Sequence, residues 1–241
     1  MYEERIYRNS VKSNDLTGFQ VMVMETDLYI SAERDLSTEA LVSVHKYRMQ
    51  IQQYISENPE FQTTLKPYKV NNKAPQIIKE MASASSSAGV GPFASVAGAL
   101  AEYVANDLLI YSDQIIIENG GDIYIKSNKN RLIGIYAGPS TLSNKLAIEI
   151  NADETPLGVC TSSGTFGHSF SFGRADAVVI ISKSTLIADA VATAVCNLIQ
   201  NQSDIKKGIE FVKIIKAVYG VIIIKDAKIG IWGNIQIRKI N

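Results

Sequence analysis

The chain has 241 residues with 24 basic and 24 acidic side chains, and 46% of its residues are apolar. That is too apolar for a disordered chain and long enough for a substantial core. A formal net charge of zero gives no global field to draw in a polyanion, so the expectation is no general nucleic-acid binding.

Met1-Tyr2-Glu3-Glu4-Arg5 is charged and no apolar h-region follows, so no secretory signal is expected. No uninterrupted apolar run reaches the roughly 18 residues of a membrane span. Cys160 and Cys196 are too few for a disulfide framework. These features point to a reduced, cytoplasmic protein with no membrane partner.

Phe19–Glu25 alternates partly, and Leu28–Ile30 follows a turn, which predicts two strands. Ser37 or Thr38 can cap a helix running to about Glu57. Its apolar stripe is Leu41, Val44, Ile51 and Ile55, and its other face carries Lys46, Arg48, Gln52 and Gln53 as a solvated surface. His45 lies in the middle of this helix and reads as structural. Asn58-Pro59 ends it. Residues 60–75 read as irregular or extended, and Pro75 opens a short helix to about Ser85.

Residues 82–101 are almost all small, and Ala94, Ala97, Gly98 and Ala101 recur at helical spacing. This predicts a helix over 92–110, entered through Ala88-Gly89-Val90-Gly91-Pro92 with Pro92 in its first turn. Strands follow at Gln114–Glu118, Ile123–Lys126, Leu132–Tyr136, Leu146–Ile150 and Ala177–Ile181. Helices from Ser184 or Thr185 to about Asn201, and from about Asp204 to Lys216, precede strands at Val218–Ile224, Ile229–Trp232 and Ile235–Ile240. Val221–Ile224 and Ile229–Trp232 suit either the core or an interface in a homo-oligomer. Uneven groups of strands and helices indicate an α+β fold with a mixed, largely antiparallel sheet packed with helices.

Four segments carry candidate chemistry. Gly89-Val90-Gly91-Pro92-Phe93-Ala94 matches G-x-G-x-x-A, but the polar, helix-like residues before it do not supply the strand a dinucleotide fingerprint needs. A glycine turn feeding a helix N-terminus still suits a phosphate, and a plain tight turn fits equally. Glu118-Asn119-Gly120-Gly121-Asp122 is a hairpin turn whose Asn119 and Asp122 can face a ligand. Thr161-Ser162-Ser163-Gly164 opens a hydroxyl-rich loop that ends at His168, a proton carrier near neutral pH, and a plain surface-loop histidine fits nearly as well. Asp189 and Thr193, four apart on a helix, share one face and can ligate a hard cation such as Mg²⁺; a helix-start carboxylate or a local hydrogen bond between them is the alternative. Cys196 falls on that face and Cys160 precedes the hydroxyl loop, though a free cysteine is commonly a small buried hydrophobe.

In this order, Asn119-Gly120-Gly121-Asp122, Thr161-Ser162-Ser163-Gly164 and Ala188-Asp189-Ala190 with Thr193-Ala194 resemble the ApbE-like superfamily over about residues 88–200. The ends resemble a smaller ApbE-like branch without lipoprotein signals. The resemblance implies one ApbE-like domain over 1–241. It implies FAD or FMN and Mg²⁺ as cofactors, since ApbE proteins attach FMN from FAD to threonine in partner proteins. It implies Asp189 and Thr193 as metal ligands with a backbone carbonyl near Gly91. Asn119, Gly120, Gly121, Asp122, Thr161, Ser162, Ser163 and Gly164 then contact the nucleotide, and His168 activates the acceptor hydroxyl. The family's Ala-Lys-Gly stands here as Gly91-Pro92-Phe93, and its His-x-x-Asp-Pro-x-Thr-Gly as His168-Ser169-Phe170-Ser171-Phe172-Gly173, so the site has diverged. Two alternatives accompany this reading. One is a sulfur-transfer accessory of homocysteine formation using Cys160 or Cys196, and the other is a non-catalytic ligand-binding subunit.

Overall fold

Ala177–Ser182 is buried at every residue, because both faces of the sheet it belongs to are covered. A computed structural model of the chain describes residues 13–166 and 171–240. The chain order is β1 (Thr17–Val23), β2 (Thr26–Ala32), α1 (Ser37–Glu57), α2 (Glu60–Thr63), α3 (Gln76–Ser87) and α4 (Val96–Leu108). Then come β3 (Ile115–Asn119), β4 (Asp122–Lys126), β5 (Arg131–Gly134), β6 (Leu146–Ile150), β7 (Leu157–Ser162) and β8 (Ala177–Ser182). The chain ends with α5 (Thr185–Leu198), α6 (Ile205–Lys213), β9 (Val218–Lys225), β10 (Lys228–Gly233) and β11 (Gln236–Lys239). No single helix among the described residues is long and apolar enough to cross a membrane.

Eight strands form one sheet in the order β1-β2-β3-β4-β7-β8-β9-β10, and β11-β6-β5 form a second. Every pairing is antiparallel, so the α+β expectation holds and the sheets are not mixed. The period-two alternation of strand side chains sorts the core into layers. Ile115 and Ile117 of β3 face α1, α3 and α4, while Val178 and Ile180 of β8 face α5 and α6. Ile116, Val179, Ile181, Ile222 and Ile224 point the other way, onto Ile133, Ile148 and Ile150 of the small sheet.

Three local expectations need correction. Leu36, not Ser37 or Thr38, occupies the cap position of α1, and Asp35 Oδ1 accepts the Ser37 N–H at 2.8 Å instead. The buried face of α1 is Ala40, Val44, Tyr47, Ile51 and Tyr54, so Leu41 is exposed. Arg48, expected on the solvated face, is only 12% exposed, whereas His45 is exposed. The sequence pattern also missed β7, whose Gly158 interrupts any apolar alternation. Val221–Ile224 is core, while Ile229 and Ile231 of β10 remain exposed at the sheet edge.

Segment 60–70 is less irregular than its composition predicts. Phe61 is fully buried, with its ring 5.1 Å from that of Tyr54, 5.7 Å from Tyr68 and 6.2 Å from Phe93. These edge-to-face pairs pin the segment against the residues that lead into α4.

Candidate functional site

Two helices build the site by capping each other. The first backbone N–H groups of a helix have no partner within it and carry partial positive charge. The Gly98 N–H, in the first turn of α4, donates to Asp189 Oδ2 of α5 at 2.9 Å. In return, Glu102 of α4 accepts the Thr185 N–H, at the first residue of α5, at 2.5 Å. Asp189 thus also answers the N-terminus of another helix, a bond the sequence did not foresee. The sequence reading missed Glu102, although an acid inside the otherwise apolar run Val96–Val104 marked it. Burial raises the Glu102 carboxyl above the usual range, and the α5 amides oppose that rise.

The two helices frame a cleft of about 800 Å³. Asp122, Asp189, Thr193, Gly89 and Gly91 all line it. Gly89 has φ +71°, which most side chains resist, and a Cβ on Gly91 would lie 1.8 Å from the Thr64 carbonyl oxygen. Glycine at the first position thus shapes the turn, and at the second it admits the 62–65 segment. Gln62, Thr64 and Leu65 of that segment also line the cleft. Nothing in the sequence linked them to residues 89–91. A helix, α3, runs into Gly89, so the strand of a dinucleotide fingerprint is absent.

Other candidate residues stand next to the cleft without lining it. Asn119 donates from its amide to the Ala97 carbonyl at 3.0 Å and faces a neighbouring cleft. Gly120 and Gly121 form the β3–β4 turn, where the Gly121 N–H donates to Glu118 Oε1. The Thr161 N–H donates to the Gly121 carbonyl, and Ser162 is buried. Ser163 Oγ accepts from the Thr165 and Phe166 amides, and the Gly164 N–H donates to the Ala175 carbonyl. His168 lies outside the described residues.

The electrostatics centre on two buried carboxyls. Asp122 is 7% exposed and Asp189 8%. Burial, then the Glu118 charge, pushes the Asp122 carboxyl up to about 7. Burial, then the charge of Asp122, raises that of Asp189 well above its usual range. Two carboxyls that repel each other at the edge of a cleft, with no lysine or arginine among the described residues that line it, suit a cation. Among the described residues no three His, Cys, Asp or Glu side chains converge to enclose a metal. Mg²⁺ needs no such cage: it takes one or two carboxylates, keeps water and completes its shell with phosphate oxygens. The oxygen donors Asp189 and Thr193 fit that ion.

Neither thiol has the exposed, electropositive surroundings of a reactive cysteine. Both are fully buried. Burial, followed by the Asp122 and Asp189 charges, raises the Cys160 thiol well above its ordinary value. Burial also raises Cys196, which packs into the α5 core rather than onto the cleft with Asp189 and Thr193.

Layered helices over an antiparallel sheet, with a cleft at the α4–α5 crossing, give the fold of the ApbE flavin transferases. The structure titled Flavin Transferase ApbE from Vibrio cholerae superposes with a TM-score of 0.61 at 14% identity, covering 90% of this chain and 96% of that one. The apo flavinyl transferase ApbE of Pseudomonas stutzeri gives 0.60 at 14% identity, covering 90% and 93%. At that identity the likeness concerns the fold. The chain belongs to the family described as AbpE bacteria, which matches residues 8–209. Similar relatives include a UPF0280 protein of Methanococcus aeolicus, 41% identical over 222 residues, and one of Methanocaldococcus jannaschii, 38% identical over 222 residues; each alignment covers 90% of both chains.

Proposed function

We propose that this chain is a Mg²⁺-dependent enzyme that binds a flavin or other nucleotide, with a site diverged from that of the ApbE flavin transferases. The convergence of Asp122, Asp189, Thr193, Gly89 and Gly91 on one cleft carries the reading. Asp189 and Thr193 hold the ion, joined by a backbone carbonyl near Gly91. Bound there, Mg²⁺ supplies Lewis-acid polarisation of a pyrophosphate. The glycine turn at 89–91 leaves room for phosphate oxygens. Asp189, already anchored by the Gly98 amide, is oriented before any ligand arrives, so little ordering cost falls on binding. Asn119 through Asp122 and Thr161 through Gly164 support the nucleotide from the β3–β4 turn and the end of β7. His168 takes the proton of an acceptor hydroxyl, the role its chemistry near neutral pH suits.

Calorimetry with FAD, FMN and ATP, in Mg²⁺ and in EDTA, tests this. The expected result is Mg²⁺-dependent binding of at least one of them, weakened tenfold or more in Asp189→Ala, with His168→Ala still binding. No Mg²⁺-dependent binding of any nucleotide refutes the reading.

A further inference from the structure

Beside the first cleft lies a second of about 550 Å³. The two share Gln62, Phe93, Val96 and Ala97 as a common wall. The second is apolar along Ile51, Ile55 and Leu100, yet Arg48 of α1 stands in it. Its side chain is only 12% exposed. Guanidinium does not give up its charge in proteins, so its burial has to be matched by acceptors.

The acceptors here are unequal. Nη1 donates to Thr26 Oγ1, a neutral and buried hydroxyl. Nη2 donates at 2.7 Å to Glu25 Oε2, whose side chain is 81% exposed. The Arg48 hydrogen bond holds the Glu25 carboxyl below its usual range, but the group stays in water and such pairs contribute little. Glu25 is thus an exchangeable partner for a well-held cation at the edge of an apolar cavity. An anion on an apolar body would gain both the planar donor fork and the Ile51–Ile55 wall.

We propose that this second cleft binds a small organic anion, a carboxylate or phosphate ester with an apolar body, which displaces Glu25 from Arg48. Its place beside the nucleotide, as a second ligand across the Phe93–Ala97 wall, rests on the function proposed above; the anion pocket itself does not.

The probes are benzoate and phenyl phosphate, with benzyl alcohol as the neutral control. Isoleucine δ1-methyl NMR of the full chain reads the pocket at Ile51 and Ile55. Saturable shifts with one or both anions, and none with benzyl alcohol, are expected, and the stronger anion identifies the head group. Glu25→Gln removes the internal competitor and should tighten binding severalfold, while Arg48→Ala should weaken it tenfold or more. The opposite signs keep the test decisive if Arg48→Ala folds poorly. Absence of shifts, equal response to benzyl alcohol, or no tightening in Glu25→Gln overturns the proposal. It is also overturned if FAD with Mg²⁺ alone shifts these methyls and excludes benzoate, since the pocket would then be the far end of the nucleotide site. Calorimetry with Asp189→Ala reads the first cleft separately, so either idea can fail alone.

Discussion

Replacing Gly98 by alanine sets two effects of opposite sign against each other. In an exposed helix interior, Gly→Ala stabilises by about 1 kcal/mol. At Gly98 the new Cβ would sit 2.4 Å from the Thr185 carbonyl oxygen and 2.9 Å from both the Thr185 carbonyl carbon and Asp189 Cβ. Comfortable contacts need about 3.5 Å, so the first turn of α5 would have to retreat by about 1 Å. It has nowhere to go. On its far side, a Cβ on Gly158 of β7 would already lie 2.4 Å from Thr185 Cα, so this turn is wedged between two glycine surfaces. Overpacking of this kind costs about 1–3 kcal/mol, and loss of the Asp189–Gly98 cap adds about 1 kcal/mol. The clash wins, and the expected net loss is about 2 kcal/mol. For a chain of this length that lowers Tm by roughly 4–8 °C. Gly208→Ala is the internal comparison. The three atoms nearest its Cβ would be side-chain ends, Ile223 Cδ1 at 2.7 Å and Ile199 Cδ1 and Val195 Cγ1 at 3.1 Å. Those can rotate, so a change within about 1 kcal/mol is expected. Denaturant midpoints and thermal melts by circular dichroism measure both. A Gly98→Ala protein as stable as the parent, or more stable than Gly208→Ala, would refute the wedge argument.

Three further outcomes follow from burial and charge. The Asp122 carboxyl rises from 3.8 to about 7 on folding, so its contribution is complete below pH 4 and is lost as pH climbs through 7. Metal-free protein should lose up to about 3 kcal/mol between pH 5 and 8, at roughly 1.4 kcal/mol per pH unit until the profile levels off above pH 7, and Asp122→Asn should flatten it; an equal slope in parent and variant contradicts this. Cys160 and Cys196 should resist a water-soluble disulfide reagent until denaturant is added, whereas fast labelling of native protein would restore the sulfur-transfer alternative. Phe61→Ala should cost about 3–5 kcal/mol by urea unfolding, since three aromatic rings lose their common contact; a loss under 1 kcal/mol would show that the cavity collapses freely.

Local chemistry made most elements legible. Apolar periodicity, Pro75 and Pro92, and the Gly120-Gly121 turn located helices and strands to within a few residues. It failed where a neighbour, not the segment itself, sets the outcome. Gly158 weakens β7 as a pattern because Thr185 needs that space. Leu41 and Arg48 exchanged their expected environments because helical period fixes relative faces but not which face meets the sheet.

The candidate site divides along the same line. Sequence by itself determined that an acid and a hydroxyl share one helix face at Asp189 and Thr193. It determined that glycines open the chain at 89–91, and that a neutral chain must hold any anion by local devices. Only the tertiary structure decided what those residues meet. The Asp189–Gly98 bond joins positions 91 residues apart. The reciprocal cap at Glu102 and the 62–65 wall over Gly91 likewise depend on how the helices cross the sheet. Such contacts cost loop-closure entropy that only the assembled core offsets, so no local spacing encodes them.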